Sequence, residues 1–412
     1  MNRIIIIGGG AAGMAAAIRA AQVNPTAQIT ILERLDRVGK KILATGNGRC
    51  NLTNEMILPE HYHTQEPERL ENLLSAMPYT RTVDFFQSIG LYCTTEDMGR
   101  MYPYCKQASM TLDVLLLALK RYKIRTVCSS HVVDISTRNH TFSVKTEDGT
   151  IYHADAVILT AGGRAAPKQG TNGSAYPLAV KMGHSYARLY PCLVPIQCKN
   201  NALKGLKGIR MTCQAVLYRG KQQLTEELGE IQLTEYGLSG IPALQLSCLL
   251  HIPPKETQYT IRLDLFPDWS YQELRSLLQQ RVRQYPDAPL EYLLLGLIHK
   301  RVMYAICKAL ALEPLSRPAS SLSKQEIDRL VSTLKGWKFP VTGTLSWEQA
   351  QVTGGGVFLH EIADDFASRR QRGLYLAGEI LDVAGDCGGY NLHWAWCSGM
   401  AAGAAAAEYV SH

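Results

Sequence analysis

The chain opens with four consecutive isoleucines, Ile4 to Ile7, then three glycines, then an alanine-dominated run from Ala11 to Ala21. A continuous β-branched run reads as a parallel strand buried on both faces. Alanine is the best helix former. A second apolar run, Ile29 to Leu32, ends at Glu33, so the opening reads strand, turn, helix, strand. Helical periodicity returns at Thr82–Ile89 and Thr111–Tyr122. The period then changes to two across Arg125–Cys128, Val132–Ile135 and Phe142–Thr146, with a tight-turn signal at Asp148 and Gly149. Ala156 to Leu159 is a further apolar strand, ending in Thr160, Ala161, Gly162 and Gly163. This order predicts a parallel sheet unit interrupted by a small antiparallel meander.

A change of pattern follows at Tyr190–Pro195. From Ile196 to about Phe266 the chain alternates as β structure does. Ser270–Tyr285, Leu290–Leu312 and Ser323–Leu334 read as helices, the last opened by the capping pair Ser323 and Glu326. The chain turns extended after Trp337, Leu374–Ala377 is a buried type of strand, and a long final helix follows. The expected class is α/β in three stretches: 1–190, an insertion at 191–342 (β-rich over about 191–268, helical over about 269–336), and 343–412.

A length of 412 residues agrees with two or three domains. The net charge of +7 is mildly basic, but no basic run is interleaved with aromatics. It reads as solvated surface, and no nucleic-acid partner is expected. The eleven cysteines form no Cys-x-x-Cys, and their odd number argues against a complete disulfide framework. No metal site is expected. Arg3, the isoleucines and Ala15–Ala17 imitate a signal peptide, but Gly8 to Gly10 break the apolar stretch. Asn391–Val410 is long enough to suggest a membrane span. Its Gly and Ala content, His393 and Glu408 make a helix packed on a sheet the better reading. The expectation is a cytoplasmic protein without a membrane partner.

The chemistry starts at Gly8, Gly9, Gly10, Ala11, Ala12 and Gly13, a G-x-G-x-x-G. That motif alone is weak. Here it has a strand before it, a helix after it, and Glu33 twenty residues beyond Gly13. Gly8 permits the turn, Gly10 lets backbone approach a pyrophosphate, and Gly13 lets helix and strand pack closely. The helix N-terminus offers free N–H groups to phosphates, and Glu33 would accept from ribose hydroxyls. The loop Val38–Asn51 comes next, glycine-rich and holding Lys40, Lys41 and Arg49, and it suits wrapping an extended cofactor. More than 300 residues later, Gly373–Glu379 and Gly385–Asn391 form a second strand, glycine-rich loop and helix start. Such a helix start can face the N1/O2 edge of a flavin, which gains negative charge on reduction.

Taken together, Ile6–Gly13, Gly39–Asn54, Thr160–Arg164, Thr234–Gly240, Thr353–Val357 and Gly373–Asn391 resemble the aminoacetone oxidase-like family of bacterial FAD-dependent oxidoreductases, which also includes 3-dehydro-bile-acid delta-4,6-reductases. The runs Gly46–Asn51 and Gly388–Asn391 are the most specific, and the matches span essentially the whole chain. The resemblance implies a glutathione-reductase-like FAD-binding Rossmann domain with an inserted β-barrel-like plus α-helical domain. The residues assigned to FAD are Gly8, Gly10, Ala11, Ala12, Gly13, Glu33, Arg34, Lys41, Thr45, Gly46, Gly48, Arg49, Cys50, Asn51, Val133, Ala161, Gly162, Gly378, Glu379, Asp382, Gly389, Tyr390 and Asn391.

Three functions fit these motifs. One is hydride transfer at flavin N5 to a conjugated C=C of an enone resembling a bile acid. Another is oxidation of a small amine by oxygen. A third is flavin-dependent RNA modification. The size of the insertion, which can build a roomy apolar pocket, favours the first. Tyr390, His393 and Cys50 are the candidates for catalysis, although a hydrogen-bonded structural histidine and a packed thiol are the better readings of the last two. Only one dinucleotide fingerprint is complete, so NAD(P)H would act as an electron donor from a transient site rather than a second Rossmann domain.

Overall fold

A computed structural model describes residues 2–251 and 257–412. Part of the expected β segment, 252–256, lies outside them. The chain divides into one unit of Met1–Cys192 with Trp347–His412, and a second of Leu193–Ser346.

The first unit is built on a five-stranded parallel sheet. Its spatial order is Leu374–Leu376, Ala156–Leu159, Arg3–Ile7, Gln28–Leu32 and Arg125–Val127. Ile4 to Ile7 are all buried, as a strand covered on both faces requires. Chain order reverses at Arg3–Ile7, so the carboxyl end of that strand is the switch point where ligands bind in open α/β sheets. The strand Arg125–Val127 belongs to this sheet, not to the meander. The meander is Val132–Arg138, Thr141–Thr146 and Ile151–Ala154, turning at Gly149.

Two long helices cover one another in this unit, Ala11–Val23 and Tyr390–Tyr409. Small residues let their backbones meet. A Cβ on Gly399 or Gly403 would fall inside contact distance of the carbonyl oxygens of Ala12 or Ala16. This packing accounts for the Gly and Ala content of the last helix. Among the described residues, no helix is long and apolar enough to cross a membrane.

The second unit holds a closed barrel of six strands: Ile196–Cys198, Gly237–Ser239, Gln222–Leu233, Arg210–Arg219, Tyr259–Asp264 and Trp337–Thr344. Inward positions alternate along the strands, with Cys213, Ala215, Leu217, Ile261, Leu263 and Phe339 buried. Two departures from the sequence pattern have local causes. The β-rich stretch contains a short helix, Ile241–Ser247, because Gly240 turns the chain and Pro242 sits in the helix's first turn. The expected helix Leu290–Leu312 is broken into Leu290–Leu293 and Lys300–Ala309. Gly296 takes a φ of +78° between them, and His299 restarts the helix by accepting from Arg301 N at 3.2 Å. Ser323 and Glu326 do form a capping box, and so do Ser270 and Glu273.

Candidate functional site

Four loops leave the carboxyl ends of the parallel strands together. The first is fixed by its neighbours: Gly8 N donates to Leu32 O at 2.8 Å, and Gly9 N donates to Glu33 Oε2 at 2.8 Å. Glu33 Oε1 accepts from Leu35 N at 2.8 Å. Each carboxylate oxygen keeps a second lone pair, so Glu33 can still receive ribose hydroxyls. Gly13 packs against the Gly8 carbonyl, and Gly8 against Ala161.

Gly10 differs from both. Its backbone, φ −81° and ψ −165°, is open to any residue, and a Cβ there would have nothing within 4 Å. Neither conformation nor protein packing requires glycine at this position. The space it leaves lies at the start of a 13-residue helix whose N-terminus has no side-chain cap. That is the cradle a pyrophosphate fills.

The loops that follow Gln28–Leu32, Ala156–Leu159 and Leu374–Leu376 are joined by a polar chain. Lys41 Nζ pairs with Glu379 Oε2 at 2.7 Å. Glu379 Oε1 accepts from Thr353 N at 3.0 Å and from Thr353 Oγ1 at 2.9 Å. Thr353 Oγ1 in turn accepts from Arg164 N at 2.7 Å. Thr353 was missing from the sequence candidates, because nothing in one sequence ties it to residues nearly 190 positions earlier. Gly378 is pinned between Ser398, which accepts from its N–H at 3.0 Å, and Trp394, which donates to its carbonyl at 3.2 Å. Arg34 is tied to the Gly170 carbonyl at 3.0 Å. Gly162 turns with a φ of +74° against Thr171. Val133 is the extra residue of a bulge in its strand, near Ser130, whose N–H donates to Glu33 O at 2.8 Å.

A second cluster gathers at the start of the final helix. Gly46, Asn47, Gly48 and Cys50 all have positive φ, which curls the loop Thr45–Asn51 tightly. Cys50 N closes it onto Thr45 O at 3.1 Å. Arg49 stacks on Tyr102 at 4.1 Å and pairs with Glu96. Asn51 Oδ1 is buried and has no hydrogen-bond partner. It lies where a Cβ on Gly389 would point, 2.8 Å away. The 20-residue helix beyond Gly389 has no side-chain cap and no acid in its first turn. An orphaned acceptor beside uncapped donors fits a ligand edge that carries both N–H and C=O groups, as the isoalloxazine pyrimidine edge does.

Four of the assigned residues also have roles within the protein. Asn391 uses its side chain within the protein: Oδ1 accepts from Gly385 N at 2.8 Å and Nδ2 donates to Gly385 O at 2.6 Å, so it clamps the preceding loop. Gly389 excludes a side chain for a reason internal to the protein. Its φ is +103°, and a Cβ would meet Thr53 O at 2.5 Å. Asp382 is buried and already accepts from Gln65 N at 2.9 Å, and burial raises its carboxyl to about 6. It anchors the segment around Gln65. Cys50 is a packed thiol that burial pushes up to about 11, not a nucleophile.

His393 is likewise structural. It is fully buried, and Nε2 lies 2.9 Å from the Met77 carbonyl, which can only accept. Nε2 therefore carries the proton, and Nδ1 accepts from Thr53 Oγ1 at 2.8 Å and Thr82 Oγ1 at 3.0 Å. Burial lowers its pKa to about 4. A histidine depressed in the fold binds its proton more readily when unfolded. Its stabilising effect is thus complete above pH 6.5 and is lost as pH falls toward 4. The expected cost of acidification at this residue is roughly 3 kcal/mol. His393→Gln should flatten the pH dependence of stability over that window, measured by urea melts at pH 4.5 and 7. An unchanged slope would mean that His393 does not titrate this way.

The family profile described as HI0933-like protein Rossmann domain matches residues 2–405. The 3-dehydro-bile acid delta(4,6)-reductase of Clostridium scindens is 39% identical over 99% of this chain and 100% of its own length. The ribosomal RNA dihydrouridine synthase of Haemophilus influenzae is 27% identical over 96% of each chain. Among solved structures, the 3-ketosteroid delta1-dehydrogenase of Sterolibacterium denitrificans aligns with a TM-score of 0.51 at 13% identity, covering 99% of this chain and 100% of that one. Quinol fumarate reductase of E. coli aligns with a TM-score of 0.51 at 18% identity, covering 100% of this chain and 71% of that one. These two share the fold. With a profile and a close relative that both span nearly the whole chain, the protein belongs to the HI0933-like Rossmann family.

Proposed function

We propose that the chain is an FAD-dependent oxidoreductase that saturates a carbon–carbon double bond conjugated to a carbonyl, in a small bile-acid-like 3-oxo substrate. The observation that carries FAD binding is Gly10, where the protein leaves room that neither its backbone nor its packing needs. The two uncapped helix N-termini and the orphaned Asn51 Oδ1 support the same reading. Gly8–Gly13 and Glu33 would hold the adenosine diphosphate half. Thr45–Asn51 and Gly389–Asn391 would hold the ring. Bound FAD supplies hydride chemistry at N5. The likeness to the Clostridium scindens reductase supports the enone class.

A second reading, reduction of uridine in RNA, has its own support. Two ribosomal RNA dihydrouridine synthases are 26–27% identical to this chain. The mild positive charge is also uneven: stretch 193–346 carries 19 of the 43 lysines and arginines but 13 of the 36 acids. The two readings share one reaction. The uracil C5–C6 double bond is conjugated to the C4 carbonyl, so both substrates take hydride at the β carbon and a proton at the α carbon.

Electrons would come from NAD(P)H at a transient site. Thr160–Gly163 ends a strand of the same Rossmann sheet, and the second unit is a barrel with helices. The flavoprotein is reduced with dithionite and mixed anaerobically with a 3-oxo-Δ4,6-steroid or with ribosomal RNA; in a separate aerobic arm the oxidised flavoprotein is mixed with aminoacetone. Rapid reoxidation by the steroid, with stoichiometric loss of dienone absorbance, is expected. Reoxidation only by RNA, with dihydrouridine formed, would select the second reading, and turnover only of the amine would refute both.

A further inference from the structure

Saturating a conjugated C=C needs a proton donor as well as a hydride, and Cys50 and His393 are too enclosed to serve. A different set of groups stands at the start of the final helix. The short strand Tyr62–His63 pairs antiparallel with Ala384–Gly385, and Asp386 N donates to His61 O at 2.9 Å. His61 ends the 3-10 turn Pro59–His61 and His63 lies in the strand, and both imidazoles reach the same carboxylate. Asp386 lies between them: Oδ2 is 3.3 Å from His61 Nδ1, and Oδ1 is 2.8 Å from His63 Nε2. The Asp386 backbone is held in turn by Asn391 Nδ2, which donates to its carbonyl at 3.3 Å. The His61 ring stacks on Tyr390, the first residue of the helix, with centroids 4.5 Å apart.

The pair is neither buried nor freely solvated. The side chains of His61 and His63 are 27% and 20% accessible, and that of Asp386 is 14% accessible. Among the described residues, His61 Nε2 and His63 Nδ1 meet no hydrogen-bond partner. One carboxylate thus orients two imidazoles and leaves an outer nitrogen of each unused. A carboxylate on one ring nitrogen orients the ring and leaves the other nitrogen to face a substrate, the geometry a general acid requires.

We propose that His61 is the general acid of the reduction, with Asp386 and His63 as its positioning residues; this rests on the function proposed above. The hydride from reduced FAD forms the new C–H bond at the β carbon. The C=C π pair moves toward the carbonyl as an enolate. His61 Nε2–H then gives its proton to the α carbon, and water reprotonates the ring. A reduced nicotinamide restores the two electrons. The groups that face His61 are Asp386, His63, Tyr390 and, through Tyr390, Tyr62 and Glu60. A general acid acts in its protonated form, so the rate of transfer should fall toward alkaline pH.

Two measurements on the FAD-loaded protein test this. In anaerobic stopped flow with a 3-oxo-Δ4,6-steroid, His61→Gln should slow reoxidation about 100-fold or more, within the range general acids contribute, and should lose the alkaline limb. Asp386→Asn should slow it less and displace that limb. His63→Gln should displace the limb and keep most of the rate. Reduction of the flavin by dithionite should stay unchanged in all three. In the second measurement, imidazole C2-proton resonances are titrated by NMR with and without FAD. The His61 signal, assigned by its loss in His61→Gln, should shift on loading FAD. A wild-type rate and pH profile in His61→Gln, or a His61 signal that ignores FAD, would overturn the proposal. If the steroid fails to reoxidise even the parent protein, the substrate reading is at fault, and the NMR result still decides whether His61 stands at the flavin.

Discussion

Gly10→Val is expected to yield a folded protein that holds no FAD. A glycine-to-valine change usually damages the fold before it damages a ligand site, and Gly8 or Gly13 would behave that way, since each packs directly on backbone. At Gly10 the fold has no objection, because the φ and ψ suit valine and a Cβ would meet no protein atom within 4 Å. The cost to the apo fold should be limited to the poorer N-cap, on the order of 1 kcal/mol. The cost to the ligand is larger. A branched side chain would occupy the approach to the N–H groups that open the helix. Two charge-assisted hydrogen bonds would be lost, each worth about 1.5–3 kcal/mol. Affinity should therefore fall by roughly two to four orders of magnitude. The ratio of flavin to protein absorbance after purification, titration of apoprotein with FAD, and thermal melts of both apoproteins give the three numbers needed. Parent-like affinity would show that no pyrophosphate passes over Gly10. Loss of the apo fold would show that the glycine serves packing after all.

The Rossmann unit was legible because its chemistry and its sterics are local. Four isoleucines, a glycine triplet and an alanine helix each act within a few residues, and Glu33 follows at a fixed distance. The barrel was legible as β structure, though the helix at Ile241–Ser247 was hidden in an alternating stretch that Gly240 and Pro242 interrupt. The break between Leu290 and Lys300 escaped notice because apolar periodicity continues through it while Gly296 reverses the backbone. The site was harder to read wherever one residue's role depends on a distant partner. Asn391 belongs by motif to the flavin loop, yet its amide also serves Gly385. His393 looked like an acid beside a flavin, yet its Nε2–H donates to the Met77 carbonyl, more than 300 residues away. His61 and His63 drew no attention, because only the pairing with Ala384 and Gly385 brings them to Asp386.

Gly403→Ala should destabilise the protein, although helix propensity alone predicts the opposite. In an isolated helix the change would gain about 1 kcal/mol. Here the new methyl group would lie inside contact distance of the Ala16 carbonyl oxygen, on a backbone that cannot turn aside within a helix. The helices must part, and overpacking of this kind costs about 1–3 kcal/mol, occasionally more. The net effect should be a loss of up to about 2 kcal/mol, or a fall in Tm of up to roughly 8 °C for a domain of this size. Gly399→Ala tests the same seam one turn nearer the ligand, where the clash is with Ala12 O. Ala12 belongs to the turn whose N–H groups face the phosphate cradle. Gly399→Ala should therefore lose FAD affinity beyond what its fall in Tm accounts for, whereas Gly403→Ala should keep most of its affinity. Comparing apo melts with FAD titrations for the two variants separates packing from binding. A rise in apo Tm in both would mean that the helices do not approach as closely as Gly399 and Gly403 allow. The phosphate-facing turn would then owe its position to the sheet alone.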